Sequence, residues 1–234
     1  MELSTSQKND FQQNGFLILN DFVSDESCLQ LINRMQNLID HFDPLEVKTI
    51  FSTKDNRHAK NLYFLESGDK IRFFFEEGAV NEQGELKYDK SLCINKVGHA
   101  LHTLDPVFRD FSYAPALAQV ITEMGITRPR LAQSMYICKQ PYIGGEVTCH
   151  QDSTYLYVKD QPVMGFWFAL EEATIENGCL WAIPGGHQSP LKSRMLRDKD
   201  NQISFASYDE SPWQLDQMIP LEVARGSMII LHGL

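Results

Sequence analysis

His150 and Asp152 are the residues whose types and spacing point most directly to chemistry. They flank Gln151, and in a β-strand residues i and i+2 point to one face, which places an imidazole beside a carboxylate. Two histidines and one carboxylate with open coordination positions form a site that suits non-haem Fe(II). The triplet supplies two of those three ligands. Taken alone, so short a pattern is more typical of a surface histidine beside an aspartate.

Short strands are the elements that must position this triplet. From residue 130 onward, runs of β-branched and aromatic residues are separated by Gly, Pro and Asn, a pattern typical of a sandwich, jelly roll or barrel. The turn-rich stretch 140–145 leads into the predicted strand that ends at His150. The predicted strands of this half are 134–138, 147–150, 164–170, 179–183 and 227–231.

Helices dominate the first half of the prediction. Ser4 or Thr5 is a suitable cap for a helix that ends before Gly15. Ser24 is the cap of a second helix, whose apolar residues recur at spacings of three and four. The same reasoning predicts strands at 16–19 and 71–75, helices at 94–104 and 117–124, and a loop region at 43–69.

Composition restricts the class of partner. The 234 residues carry 21 Lys plus Arg against 31 Asp plus Glu, a formal net charge of -10, so we expect no nucleic-acid and no membrane partner. The five cysteines contain no C-x-x-C pair and read as reduced, mostly buried thiols. No apolar stretch approaches the roughly 20 residues of a membrane span. We therefore expect a single domain over residues 1–234, monomeric and cytoplasmic.

Six segments in a fixed order are more specific than the triplet alone. They are 67–75 (SGDKIRFFF), 94–102 (INKVGHALH), 133–137 (QSMYI), 144–147 (GGEV), 150–152 (HQD) and 176–181 (ENGCLW). In these segments the chain resembles the phytanoyl-CoA dioxygenase family of Fe(II)- and 2-oxoglutarate-dependent oxygenases. The resemblance begins at residue 11 and continues to the end of the sequence.

The resemblance implies a mainly β fold with flanking helices, a double-stranded β-helix of the jelly-roll, cupin-like kind. It also implies Fe(II) as the metal, 2-oxoglutarate as cosubstrate and a small-molecule or acyl substrate. His150 and Asp152 correspond to two iron ligands. Lys96, Met135 and Trp167 correspond, with those ligands, to the lining of the 2-oxoglutarate pocket. Without the resemblance, Lys96 reads as a solvated helix charge, and Met135 and Trp167 read as core residues.

The family pattern extends beyond Leu234, where the present sequence stops. Relatives place a second iron histidine and an arginine for the distal 2-oxoglutarate carboxylate further along, so we expect a truncated chain that lacks its last core strand. We do not expect His187 or His232 to complete the iron site, and we interpret His99 and His102 as ordinary helix residues.

Two functions remain open at this point. The first is a dioxygenase that hydroxylates its substrate while 2-oxoglutarate loses CO₂ to give succinate. The second is a catalytically inactive jelly-roll protein or a non-enzymatic binding module. The substrate is not identified by any residue pattern.

Overall fold

The computed structural model describes residues 2–46, 62–81, 83, 85–159 and 163–234, and its internal contacts divide the chain into two units. The first unit is centred on Gln30–Thr148, and the second combines Leu3–Leu29 with Cys149–Leu234. The single domain expected over residues 1–234 stays a prediction. Within the described ranges, no helix is long and apolar enough to cross a membrane.

Local capping and amphipathic spacing explain the first two helices. The Ser4 hydroxyl accepts from the Gln7 backbone N–H while the Gln7 side chain accepts from the Ser4 N–H, and Gly15 ends the helix at a φ of 81°. The second helix buries one stripe, formed by Cys28, Leu31, Met35 and Ile39. The described α-helices are α1 Thr5–Asn14, α2 Asp25–His41, α3 Leu62–Leu65, α4 Leu101–Leu104, α5 Pro106–Ser112 and α6 Pro115–Glu123.

The strands lie mainly in the second half of the chain and pair in antiparallel fashion. Those of the first half are β1 Phe16–Leu19, β2 Ile71–Phe75 and β3 Ile94–His99. Those of the second half are β4 Ser134–Ile137, β5 Met164–Phe168, β6 Leu180–Ala182, β7 Ser193–Arg197, β8 Ile203–Ser207, β9 Ile219–Leu221 and β10 Met228–His232.

In the second unit, β10 lies between β1 and β5 in a three-stranded sheet. Met228, Ile229 and Ile230 of β10 are all 0% exposed, so this strand forms the centre of the unit's core. Trp167 of β5 lies opposite Ile229 and packs against the same cluster. Two further strand pairs, β6 with β9 and β7 with β8, complete the described pairing of the unit.

In the first unit, β3 lies between β2 and β4. Every residue of β3 is buried, and Phe73, Phe74 and Phe75 of β2 are buried beside it. A strand covered on both faces has no alternation of polar and apolar residues. The spacing of Ile94 and Val97 therefore looks helical, which explains why the helix predicted over 94–104 is wrong: only its last turn, α4, is helical.

Most of the other predicted strands are confirmed within two residues at each end: 16–19, 71–75, 134–138, 164–170, 179–183 and 227–231. The strand predicted at 147–150 is wrong, because no strand of the described residues pairs with that stretch. The backbone just before it is held by a side chain instead, since the Gly145 N–H donates to Glu76. No strand was predicted at β7, β8 or β9. Most of the loop region at 43–69 lies outside the described residues.

Glu76 is a buried carboxylate that follows β2 and binds three N–H groups. Its Oε1 accepts from the backbone N–H of Glu77 at 2.8 Å and of Gly145 at 3.2 Å. Its Oε2 accepts from the side-chain amide of Asn95 at 2.7 Å. At Gly144, whose φ is 135°, an added Cβ would lie 3.4 Å from the Glu76 carboxyl carbon. The carboxylate and the two glycines thus fix the stretch that precedes His150 in the sequence.

The substitution Glu76→Gln tests this clamp. All three partners are donors, so whichever way the amide turns, its NH₂ group meets an N–H, and we expect a loss of about 1 to 3 kcal/mol in the free energy of unfolding. Glu66→Gln is the control, because the Glu66 side chain is 52% exposed and its loss should cost less than about 0.5 kcal/mol. Urea unfolding of both variants measures the difference. Equal stability of the two variants would refute the clamp.

Candidate functional site

His150 and Asp152 lie side by side in the second unit. The His150 Nε2 is 3.4 Å from the Asp152 Oδ1, and each side chain is 41% exposed. The prediction that a strand carries them is wrong, because Asp152 begins a 3-10 helix, Asp152–Thr154. Gln151 between them is extended, with φ of -109° and ψ of 130°. One extended residue is enough to turn its two neighbours to the same side.

The Gln151 side chain holds this arrangement from the opposite side. It is 4% exposed, its Nε2 donates to the Pro190 carbonyl at 3.1 Å, and its Oε1 accepts from the Lys192 backbone N–H at 2.9 Å. Both ends of the amide are therefore bonded to one backbone segment. The buried amide fixes the rotation of the chain about residue 151, and so fixes the direction in which His150 and Asp152 point.

Space for the carboxylate comes from a glycine on β5. A Cβ at Gly165 would lie 3.4 Å from the Asp152 Oδ2 and 3.5 Å from the Leu231 Cβ. The Cβ of alanine would make an ordinary van der Waals contact here, and a longer side chain would crowd the carboxylate. The Ser153 backbone N–H donates to the Gly233 carbonyl at 2.8 Å, which anchors the start of the 3-10 helix.

Tyr155 lies beside the His150 ring. Its ring stands edge-on to the His150 ring, with centroids 6.3 Å apart, and it meets the Phe205 ring at the same distance. Burial, together with the negative charge of Asp152, raises the pKa of the Tyr155 phenol. The phenol therefore stays protonated at neutral pH and presents a neutral hydroxyl near the carboxylate.

Lys96 is buried on β3 of the first unit rather than solvated on a helix. It is 6% exposed, and its Nζ lies 5.3 Å from the centroid of the Phe64 ring and 5.5 Å from that of Phe74. Burial lowers the pKa of Lys96 to about 7. His99, which ends the same strand, has its pKa lowered to about 4 by burial and by the charge of Lys96. The interpretation of Lys96 as a solvated helix charge is wrong.

Met135 shares a sheet face with Lys96. Lys96 pairs with Ile137 and Gly98 pairs with Met135, and residues two apart on a strand face the same way. The Met135 side chain is 41% exposed, so its interpretation as a core residue is wrong. Trp167, by contrast, packs against the core cluster of the second unit.

His187 and His232 form a separate pair in the second unit. Their ring centroids are 4.9 Å apart, and the His187 Nε2 lies 3.1 Å from the Gln12 carbonyl. Burial, and then the neighbouring His187, lower the pKa of His232. Neighbouring residues on β10 point to opposite faces, so His232 faces Phe11 while Leu231 faces the Gly165 side, where Asp152 lies.

The donor set at residue 150 fits a metal ion in part. Two ligand atoms bound about 2.1 Å from one ion at a right angle are about 3 Å apart, close to the separation of the His150 and Asp152 atoms. Imidazole nitrogen and carboxylate oxygen are ligands that Fe(II) accepts in non-haem sites. Within the described ranges, no group of three or more His, Cys, Asp and Glu side chains is close enough to hold an ion. Among the described residues, His150 and Asp152 are therefore two candidate ligands.

Solved structures identify the class of fold. The chain superposes on the carbocyclase SnoK from nogalamycin biosynthesis, described as non-heme and alpha ketoglutarate dependent, with a TM-score of 0.63 at 15% identity, covering 99% of this chain and 75% of that one. It superposes on EctD from S. alaskensis, crystallised with 2-oxoglutarate and 5-hydroxyectoine, with a TM-score of 0.62 at 19% identity, covering 99% and 68%. The fold is a double-stranded β-helix, the jelly roll with flanking helices, and the predicted class is confirmed.

Sequence comparison gives the family. The family model described as Phytanoyl-CoA dioxygenase (PhyH) matches residues 11–234. Phytanoyl-CoA dioxygenase 1 of Oryza sativa subsp. japonica is 46% identical over 231 residues, 99% of this chain and 81% of the relative. Phytanoyl-CoA dioxygenase domain-containing protein 1 of Mus musculus is 42% identical over 240 residues, 99% and 82%. The chain belongs to the phytanoyl-CoA dioxygenase family.

Sequence reasoning missed three residues of the site: Gln151, Tyr155 and Gly165. Gln151 carries no signal, because its partners lie about 40 positions away in a stretch without a predicted strand. Gly165 was placed within a predicted strand, where an isolated glycine often marks the close approach of another group. That signal was present in the sequence and points to the Asp152 carboxylate.

Replacing Gln151 with alanine tests its positioning role. Removing a side chain that orients metal ligands typically weakens metal affinity about 10- to 100-fold. We therefore expect the apparent Fe(II) dissociation constant of Q151A to rise by about that factor. Anaerobic Fe(II) titration measures it, and circular dichroism checks that the variant is folded. Q188A is the matched control, because Gln188 is an exposed residue whose amide donates only to the Gln13 carbonyl. Fe(II) affinity of a folded Q151A equal to that of Q188A would contradict the role.

The low pKa of Lys96 predicts a specific pH dependence of stability. Its pKa is about 7 in the folded chain against 10.5 for the ordinary side chain, so between these values the unfolded chain binds more protons. Between these two pH values, the unfolding free energy of the wild type minus that of Lys96→Met should rise by about 1.4 kcal/mol per pH unit. Below about pH 7 this difference should not change with pH. Urea unfolding across the window checks this. Lys70→Met, at a side chain 45% exposed, is the control. A Lys96→Met difference that does not vary with pH would refute the prediction.

Proposed function

We propose that the chain is an Fe(II)- and 2-oxoglutarate-dependent dioxygenase that hydroxylates a small-molecule or acyl substrate. The observation that carries the proposal is the pair of half-exposed ligand atoms held 3.4 Å apart on either side of the buried Gln151. Relatives named phytanoyl-CoA dioxygenase support it. So does a solved structure of similar fold, the epimerase SnoN, whose description names Fe3+ and alpha ketoglutarate.

His150 and Asp152 are the residues that would hold the metal. When bound, Fe(II) with 2-oxoglutarate and O₂ would supply the oxidation of a substrate C–H bond, with 2-oxoglutarate decarboxylated to succinate. The imidazole would bind as a neutral ligand and the carboxylate as an anion, so together they would offset one unit of the ion's charge. Gln151 would keep both atoms in place, and the Gly165 position would keep room for the carboxylate.

Lys96, Met135 and Trp167 are proposed for the cosubstrate on the strength of the family resemblance. Lys96 has a property that suits the role. Its ammonium can form charge-assisted hydrogen bonds with a carboxylate of 2-oxoglutarate. A bound carboxylate would shift the pKa of Lys96 upward from about 7 and favour the charged form.

The compartment and the oligomeric state are also proposals. We propose a monomer in the cytosol. All five cysteines are free in the structure, three of them buried, as thiols in a reducing compartment would be.

Anaerobic titration with Fe(II) and 2-oxoglutarate tests the proposed function. A non-haem iron site that binds 2-oxoglutarate through its keto and carboxylate oxygens gives a weak visible charge-transfer band, and we expect this band from the wild-type chain. His150→Ala and Asp152→Ala should both abolish it, because each removes one of the two proposed ligands. His187→Ala is the control and should retain it, because His187 contacts His232 and Gln12 instead.

The outcomes separate the two functions. A band that depends on His150 and Asp152, with succinate formed once O₂ is admitted, would support the dioxygenase. No band from the wild-type chain at millimolar 2-oxoglutarate would reject it and favour the non-enzymatic binding module. A band that survives both substitutions would place the iron elsewhere in the chain.

A further inference from the structure

Arg194, on β7, carries a hydrogen-bond donor for which the described residues offer no acceptor. Its guanidinium carbon lies 3.8 Å from the centroid of the Tyr157 ring, so the planar group is stacked on the aromatic face. Its Nε is shielded from solvent and has no hydrogen-bond partner among the described residues. Stacking occupies the flat face of a guanidinium and leaves its N–H groups directed outward in the plane. The guanidinium is therefore held in one plane, and its Nε–H has no acceptor among the described residues.

Three other cations of the same unit, Lys192, Arg197 and Arg225, each have an acceptor, unlike the Arg194 Nε. The Lys192 Nζ donates to the Asp209 carboxylate at 2.8 Å and to Ser211, and this contact lowers the pKa of Asp209 to about 2. The Arg197 Nε donates to the Asn201 Oδ1 at 2.9 Å. The Arg225 Nε lies 3.1 Å from the Asp25 Oδ1. A buried N–H without a partner is uncommon in folded proteins and calls for a specific explanation, such as a ligand.

Arg194 and Tyr157 both belong to segments next to the proposed metal ligands, His150 and Asp152. Strand β7 packs against the 3-10 helix that begins at Asp152. Tyr157 follows Asp152 by five residues in the same stretch of chain. Tyr157 is 42% exposed and Arg194 is partly exposed, so a molecule from solvent can reach the edge of the stacked pair.

We propose that Arg194, held flat by Tyr157, binds an anionic group of the substrate, a carboxylate or a phosphate. The planar donor fork of arginine matches both groups, and its charge is permanent. The substrate class is therefore an acid or a phosphate-bearing molecule rather than a neutral one. Anion binding at Arg194 is independent of the proposed oxygenase function, and only the assignment of the anion to the substrate rests on that function.

The experiment observes the Arg194 side chain directly. In the ¹H–¹⁵N spectrum of the full chain, the arginine Nε–H signals are followed while inorganic phosphate or acetate is added. Arg194→Lys identifies the Arg194 signal by its disappearance, and Arg197→Lys identifies the control on the same strand, whose Nε already has a partner. We expect the Arg194 signal to shift with saturation and the Arg197 signal to stay in place.

The variants give the size of the effect. Arg194→Gln, which removes the charge, should weaken phosphate binding at least about tenfold, as for the loss of a charge-assisted contact. Binding is read in that variant from the Tyr157 ring signals. Arg194→Lys keeps the charge without the planar fork and should bind with intermediate affinity. An Arg194 signal that does not move, or that moves together with every other arginine, would overturn the proposal.

A separate measurement distinguishes substrate from cosubstrate. If Arg194 holds the substrate, the charge-transfer band of Fe(II) with 2-oxoglutarate forms in Arg194→Gln at the wild-type 2-oxoglutarate concentration. A band that requires at least about tenfold more 2-oxoglutarate would assign Arg194 to the cosubstrate and reject the substrate assignment. Absence of the band in the wild type would reject the iron site, while the phosphate titration would still decide whether Arg194 binds anions.

Discussion

The Gln151 amide is buried, and both of its ends are bonded to the backbone at Pro190 and Lys192. This constraint gives the site its direction. A chain cannot bury residue 151 in an extended conformation without turning residues 150 and 152 outward together. The imidazole and the carboxylate therefore meet although no strand carries them. A buried amide with one end unpaired would cost more free energy than one hydrogen bond contributes. The two hydrogen bonds of the Gln151 amide therefore form together or are lost together.

Successive side chains of β10 point to opposite faces, and this alternation keeps the Asp152 carboxylate apart from the pair His187 and His232. Leu231 lies on the Gly165 side with Asp152, while His232 lies against Phe11 and His187. Met228, Ile229 and Ile230 are consecutive and completely buried, so core packing on both faces of the strand holds its register. The same core packing that stabilises the unit thus keeps His232, beside His187, on the face opposite the Asp152 carboxylate.

Helices and strands marked by a local sequence pattern could be predicted. Contacts between residues far apart in the sequence could not. The short apolar runs at β1, β2 and β5 were bounded by turn residues and were identified correctly. Strand β3 was mistaken for a helix because burial on both faces removes the alternation that marks a strand. The pairing of His150 with Asp152 followed from their spacing, although the strand assumed for it is absent. The burial of Lys96 depends on aromatic residues of other elements, and no pattern around residue 96 reveals it.

The net charge of -10 does not argue against an anionic substrate. Charges farther away than about 10 Å are largely screened at ordinary salt concentrations, so the overall field mainly affects the rate of encounter. Affinity depends on the groups that touch the ligand. Asp209 is already paired with Lys192, and so it competes little for Arg194. A guanidinium stacked on Tyr157 has lost part of its hydration and its freedom of rotation before a ligand arrives. Its contact with a carboxylate or phosphate would therefore meet less entropic opposition than one made by a free surface lysine.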